Sequence, residues 1–501
     1  MSRIRALAKE SLIYGVSSIF SRFLGFLLVP FYTHVLSTSE FGISYIVLTI
    51  VAFMNIVYQF GFDSAYLRLG HDVDSVGRRR LFSTAFFSQA TGTLVFSAVL
   101  LLLSGPLSRV FLIPPAYGNL LYYATGILIL DTLTVVPFAH LRLEHAARKF
   151  ATLKLCNVLL NLAANWVFVV TWHQGLTGVF RANLAASAGT LIFMLPVLFA
   201  NVRPAFNRPD FKQLLKLGLP LVPAGLYGLI NDMAGRMFLR LLSQADIDRL
   251  YPGKGYDILQ LTGIFSAAWK LGIFGLLLVQ MYRMAWMPFF LQRQKDPDAA
   301  DLFGRILRYL CLFIGYSSVT LMAFLDKLVA IPIMGHTLFN SAYWVGLEIV
   351  PGVLLAYVFN AWFIHFTLGI YIAKQTRYLM WSNGVGAAVT VVGNLLLIPR
   401  LGLWGATLSA VLCYAVIAAM VMRKSQQLYP IKVSWPLMIP IILWLAAGWI
   451  FGTAVQAYPS TFSWSMRLGA LAAFYVFPFL TSNLPLGGLR RLIGGKPLPA
   501  K

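Results

Sequence analysis

The stretch SLIYGVSSIFSRFLGFLLVP, residues 11–30, is long and apolar enough to enter a bilayer, yet Arg22 stands in its middle. The stretch LVPAGLYGLINDMAGRMFLR, residues 221–240, repeats that design with Arg236. A guanidinium at bilayer depth costs on the order of 2.5–3.5 kcal/mol on insertion scales, so it is retained where it faces a cavity or a partner. Two arginines placed alike in two apolar helices read as a duplicated membrane protein with a cationic cavity. In the first helix Ser11, Gly15, Ser18, Arg22 and Gly25 share one face, and in the second Gly225, Gly228, Asp232 and Arg236 do the same. Small residues alone would indicate close helix packing, but close packing does not need a buried cation. Asp232 stands one turn before Arg236, within reach of an ion pair.

The rest of the chain agrees with a membrane setting. Its 501 residues are 59% hydrophobic and 11% charged, against roughly 25% charged in soluble proteins. Apolar runs of about 20 residues recur from end to end, each enough for a ~30 Å hydrocarbon core. We expect an all-α, polytopic fold of about 14 transmembrane helices joined by short loops. The net charge of +23 does not point to nucleic acid. Basic residues gather in alternate loops, such as Arg78/Arg79/Arg80, Arg142/Arg148/Lys149/Lys154, Arg203/Arg208/Lys212/Lys216 and Lys374/Arg377. That alternation is the positive-inside pattern and puts both termini in the cytoplasm. Cys156, Cys311 and Cys413 each fall in an apolar run and read as small core residues. Arg22 interrupts the first apolar segment and no small-residue cleavage site follows, so an uncleaved first helix is expected.

An internal repeat divides the chain. Gly175-Leu176-Thr177-Gly178 follows a helix bearing Asn165, and Gly402-Leu403-Trp404-Gly405 follows one bearing Asn394. Pro204, Asn207 and Pro209 mark a linker between the two copies. We expect an N-terminal six-helix lobe over 1–205, a C-terminal six-helix lobe over 206–430, and two extra helices with a basic tail over 431–501. Lobes of this kind are parallel repeats. The last two helices have no counterpart and would pack against lipid or a partner.

Other polar residues lie at membrane depth. Lys270, in a long span over 258–291, is too deep to snorkel easily and reads as a cavity residue. Gln280 shares that span as a candidate for the glycan path, and Arg283 lies nearer its cytoplasmic end. Asp131 is near the centre of the fourth span, and Asp63 lies below Asn55 and Gln59 at the inner end of the second. A carboxylate at such depth is either paired with a cation or protonated. Coupling to H⁺ or Na⁺ and a static pair with Arg22, Arg236 or Lys270 both stand as readings of Asp131, Asp63 and Asp232. Asn157, Asn161 and Asn165 form an amide stripe, thinner around Asn394, suited to a glycan path or to interhelical hydrogen bonds. His140, Glu144 and His145 lack metalloprotease spacing, and no metal site is expected. Gly494-Gly495-Lys496-Pro497 lacks both the spacing and the Ser/Thr of a phosphate-binding loop. No cofactor is expected beyond a coupling ion, and no catalytic residue stands out.

The motifs resemble one family. Ser21-Arg22-Phe23-Leu24-Gly25-Phe26, Pro30-Phe31-Tyr32 and Ser37-Thr38-Ser39-Glu40-Phe41-Gly42 look like the opening of polysaccharide-biosynthesis flippases of the O-antigen translocase type. These are members of the multidrug/oligosaccharidyl-lipid/polysaccharide (MOP) exporter superfamily. Trp269-Lys270-Leu271, Gln280-Met281-Tyr282-Arg283, Lys374-Gln375-Thr376-Arg377-Tyr378 and Asn394-Leu395-Leu396-Leu397-Ile398-Pro399 continue the likeness over roughly residues 5 to 430. Relatives often carry Asp-Arg where this chain has Gly235-Arg236; Asp232 is the nearest substitute. The resemblance implies two six-helix lobes in a V and alternating access. It implies a bacterial inner-membrane flippase for undecaprenyl-pyrophosphate-linked oligosaccharide, with Arg22, Arg236 and Lys270 on the pyrophosphate. Lipid-linked oligosaccharide, membrane lipid, and a glycan polymerase or glycosyltransferases of the same pathway are the implied partners. A lipid II flippase, and a membrane glycan polymerase or ligase, are the alternatives.

Overall fold

The computed structural model describes Phe20 and residues 23–333 and 335–480, apart from the side chains of 478–480. Arg22 and the basic tail lie outside the described residues. In chain order the helices are α1 (Phe23–Val35), α2 (Thr38–Gln59), α3 (Phe62–Gly70), α4 (Ser75–Leu102), α5 (Ser104–Val110), α6 (Leu120–Leu143), α7 (Ala147–Asn165), α8 (Gly175–Asn201), α9 (Arg208–Gly218), α10 (Leu221–Phe238), α11 (Gln244–Leu250), α12 (Ile258–Leu271), α13 (Ile273–Arg293), α14 (Ala299–Val329), α15 (Val350–Ile372), α16 (Arg377–Leu401), α17 (Leu403–Leu428), α18 (Trp435–Ala457) and α19 (Trp464–Leu480). Among the described residues, 12 helical segments are long and apolar enough to cross a membrane, and α1 and α19 are shorter apolar helices. The protein is an all-α multi-pass membrane protein. Its described strands form one short antiparallel pair, Pro332–Ile333 with His336–Thr337.

Local chemistry sets the helix ends. Ser37 accepts from the backbone N–H of Glu40 while Glu40 bonds back to the Ser37 backbone, a capping box that starts α2. At its other end Phe60 and Gly61 both take left-handed φ, 52° and 68°. Gly61 also lies so near the Gly218 carbonyl that a Cβ would collide with it. The expected single span over 258–291 is two helices. Gly272, with ψ near −5°, turns the backbone out of α12 before α13 begins, and a glycine offers the helix little resistance to that break.

The chain divides into two compact units. Unit one runs to Leu271 and adds Phe339–Gly346 and Met380–Ile417; unit two comprises Gly272–Leu338, Leu347–Leu379 and the chain from Ala418 onward. In unit one α2 crosses α12 at glycines. A Cβ on Gly42 would overlap the Leu259 carbonyl, and one on Gly263 would overlap that of Thr38. Close backbone approach at small residues is how helices gain packing where lipid supplies no hydrophobic drive. Three alternate basic loops meet at one end of this unit. Arg78 bridges Glu144 at 2.7 Å, Arg80 bridges Asp210 at 3.0 Å, and the Arg203 N–H donates to Ser83 Oγ at 2.7 Å.

In unit two α18 lies along α14, with Gly448 against Val319 and Gly452 against Met322. α19 is tied to α14 through Arg467, which is fully buried. Its guanidinium donates to both Asp326 carboxylate oxygens (2.6 and 3.0 Å) and to the carbonyls of Ala323 (3.0 Å), Phe462 (3.0 Å) and Pro459 (2.8 Å). The last two helices thus build unit two from within, through contacts to α14.

Candidate functional site

Arg236 and Lys270 meet at one aromatic ring. Arg236, on α10, is 4% exposed. Its guanidinium lies 5.6 Å from the ring centre of Tyr45 on α2 and 6.0 Å from that of Trp269 on α12. Lys270 Nζ is 5.5 Å from the same Tyr45 ring. The α2–α12 glycine crossing brings these elements together, since Tyr45 and Lys270 lie on the two helices that approach there. Each cation–ring contact contributes about 0.5–2 kcal/mol. Two like charges held at bilayer depth are costly, so their neighbourhood matters. One turn before Arg236, Asp232 accepts a short hydrogen bond from the Tyr414 hydroxyl. Beside it, Thr390 Oγ1 donates to Asn231 at 3.4 Å.

A second polar feature of unit one is a cavity of about 370 Å³ walled by α2, α3, α6, α7 and α8. Asn55, Gln59, Asp63, Asp131, Phe138, Arg142, Phe150, Lys154, Asn157 and Thr190 line it. Asp131 faces Lys154 and Ser187. Asp63 pairs with Arg142 at 3.6 Å. Lys154 Nζ lies 4.4 Å over the Phe138 ring, and Gln59 donates to Asn55 at 2.5 Å. The partners of Asp63 and Asp131 are therefore Arg142 and Lys154, which the sequence pattern assigns to a basic loop. One signal was available. Lys154, Asn157 and Asn161 recur at i+3 and i+4, and Asp131, Val135, Phe138 and Arg142 do likewise, so Lys154 and Arg142 belong to helix faces. The signal that Tyr45 and Trp269 would gather the cations was absent, because it needs the α2–α12 crossing.

The amide stripe serves mostly to join helices. Asn157 donates to Thr190 at 2.8 Å and to the Ala186 carbonyl at 3.3 Å. Asn161 donates to Asn183 at 3.0 Å. Asn165 donates to the Asn161 carbonyl at 2.8 Å and accepts from Tyr32 at 2.9 Å. Asn394 donates to the Thr390 carbonyl at 2.8 Å. Of these, Asn157 also lines the cavity. Gln280 and Arg283 fall on α13 in unit two, Gln280 half-buried and Arg283 exposed, as snorkelling would have it. His140 and Glu144 take separate partners: the Tyr66 hydroxyl at 2.8 Å and Arg78. Among the described residues no group of three His, Cys, Asp or Glu is placed to hold a metal.

The fold has known counterparts. The lipid II flippase MurJ in an inward closed conformation is similar, with a TM-score of 0.70 at 13% identity over 94% of this chain and all of that one. An inward-facing multidrug resistance MATE transporter of the MOP superfamily gives 0.60 at 14% identity, over 83% of this chain and 94% of that one. A MOP-superfamily transporter from Pyrococcus furiosus, described as having a binding pocket of reverse polarity, gives 0.55 at 14% identity over 85% and 94%. A search of curated proteins finds no match. The polysaccharide biosynthesis protein family matches residues 7–294, more than half of the sequence. With its MurJ- and MATE-like transporter fold, the chain belongs to the polysaccharide biosynthesis protein family.

Proposed function

We propose that this chain is a flippase. It carries undecaprenyl-pyrophosphate-linked oligosaccharide from the cytoplasmic to the outer leaflet of the bacterial inner membrane, by alternating access. The product feeds surface polysaccharide: O-antigen of lipopolysaccharide, capsule or exopolysaccharide. The observation that carries this reading is the convergence of Arg236 and Lys270 on the Tyr45 ring, at a depth where cations are costly. A pyrophosphate has oxygens enough to accept from both groups at once, and each charge-assisted hydrogen bond would contribute about 1.5–3 kcal/mol. Arg22 would be the third cation of the set. A cationic drug would be repelled there. The isoprenoid tail stays in the bilayer while the head group crosses.

The two six-helix repeats, 1–205 and 206–430, would open alternately, with both termini in the cytoplasm. Release needs a bias, and H⁺ or Na⁺ movement supplies about 2.3 kcal/mol per charge per 100 mV. Asp232, one turn from Arg236 on α10, is the carboxylate best placed to link ion and substrate. Partners are the glycosyltransferases and polymerase of the same pathway. The second reading is a lipid II flippase, favoured by the likeness in fold to MurJ; it differs in the glycan.

Deleting the gene in its host and labelling each membrane face tests this. Lipid-linked oligosaccharide should accumulate on the cytoplasmic leaflet and be cleared by wild type but not by Arg236→Ala. Accumulated lipid II would favour the second reading. Normal translocation with unpolymerised glycan outside would point to an enzyme and end the transport reading.

A further inference from the structure

The cavity behind Asp63 and Arg142 has a wall chemistry that selects its occupant. Two carboxylates, Asp63 and Asp131, face two cations, Arg142 and Lys154, so the formal charges cancel. Around them stand the carboxamides of Asn55 and Gln59 and the rings of Phe138 and Phe150. A pyrophosphate placed here would meet both carboxylates. A metal cation would meet Lys154 and Arg142 and leave most of the 370 Å³ unfilled. A hydrocarbon tail would strip water from four charged groups, each at a cost of several kcal/mol. A neutral polyhydroxylated ligand conflicts with none of these walls. Its hydroxyls donate to carboxylates and accept from ammonium, guanidinium and amide groups, and its C–H faces pack on the rings. The volume falls within the ~300–1,000 Å³ usual for small-molecule sites.

Position adds a second argument. Tyr45 and Asn55 lie on α2, about 15 Å apart along its axis at ~1.5 Å per residue. A ligand with its anionic group at Tyr45 and its sugars toward the basic end of unit one would reach the level of this cavity. We infer that the cavity is a sugar-binding subsite that holds neutral sugar units of the glycan and reads their identity. This inference rests on the flippase reading and assigns that substrate's sugars to unit one.

The test uses Val135→Cys, a cavity-lining position outside the charge pairs. It is made in the full chain with the half-buried Cys156 replaced by Ser; Cys311 and Cys413 are buried. The probe is the reducing oligosaccharide freed by mild acid from the host's lipid-linked oligosaccharide. At millimolar concentration it should slow labelling of Cys at 135 by a charged methanethiosulfonate several-fold. Inorganic pyrophosphate at the same concentration should leave the rate unchanged. Gln59→Leu should remove the protection while the protein stays monodisperse, and Arg236→Ala should keep it. No protection in folded protein that still flips lipid-linked oligosaccharide would overturn the subsite alone. Equal slowing by pyrophosphate would also overturn it. Protection without flipping would keep the subsite and remove the flippase reading.

Discussion

Arg236 and Arg467 are both buried in apolar helices, yet different neighbours mark them out. Arg467 in unit two is enclosed by oxygens: two from Asp326 and three backbone carbonyls take up its donors. Arg236 in unit one rests against the faces of Tyr45 and Trp269, and a second cation, Lys270, shares the Tyr45 ring. A guanidinium ringed by acceptors has its electrostatic demand met by the fold and acts as a rivet. A guanidinium gathered with a second cation on one aromatic face sets two positive groups side by side, the arrangement on which the proposed pyrophosphate site rests.

The comparison can be broken at either end. Arg467→Ala leaves the largely buried Asp326 with only the half-exposed Lys327, 3.4 Å away, and leaves three backbone carbonyls without its donors; it should cost about 3–5 kcal/mol of stability. Scanning fluorimetry should record a fall in Tm, while flipping per folded molecule is unchanged. Joint replacement by Arg467→Met and Asp326→Leu should recover much of the loss, because removing both charges removes the penalty. Arg236→Ala should do the reverse. Tm moves little, and flipping falls by tenfold to a hundredfold, the equivalent of about 1.5–3 kcal/mol of lost charge-assisted bonding. Arg236→Lys should recover part of the activity, keeping the charge without the planar fork.

Smaller changes sharpen the contrast. Gly263→Ala presses a Cβ into the Thr38 carbonyl and should cost about 1–3 kcal/mol by overpacking. Because it parts α2 from α12, it should lower flipping and Tm together, unlike either arginine variant. Asp63→Asn should be the mildest. The Asp63–Arg142 pair is 3.6 Å long with both side chains about one-third exposed, so its loss should cost about 0.2–1 kcal/mol of stability. A larger drop in denaturant midpoint would mean the pair closes the cavity more tightly than its geometry implies.

Much of this was legible in the chain, and the rest had a physical reason to be hidden. The all-α membrane class follows from hydropathy, and Arg236 and Lys270 stood out because a charge in an apolar run is costly wherever the run ends up. Tyr45 and Trp269 did not stand out, since aromatic residues are ordinary in such runs and their role comes from the Gly42–Gly263 crossing. Lys154 and Arg142 were hidden by a boundary: Arg142 ends one helix and Lys154 lies about two turns inside the next, and reading both as loop residues turned two cavity residues into loop charges. The break at Gly272 was invisible to hydropathy, which stays high across it. Arg467 was passed over because the last helices have no repeat partner, and its match to Asp326 spans 141 residues of sequence.

The most direct measurement is flipping by purified protein in proteoliposomes loaded on one leaflet with lipid-linked oligosaccharide extracted from the host. The wild-type chain and Arg467→Met/Asp326→Leu should both transfer it to the opposite leaflet, and Arg236→Ala should do so tenfold to a hundredfold more slowly, although it inserts and stays folded. Equal transfer by Arg236→Ala and wild type would contradict the assignment of Arg236 and Lys270 as the pyrophosphate site.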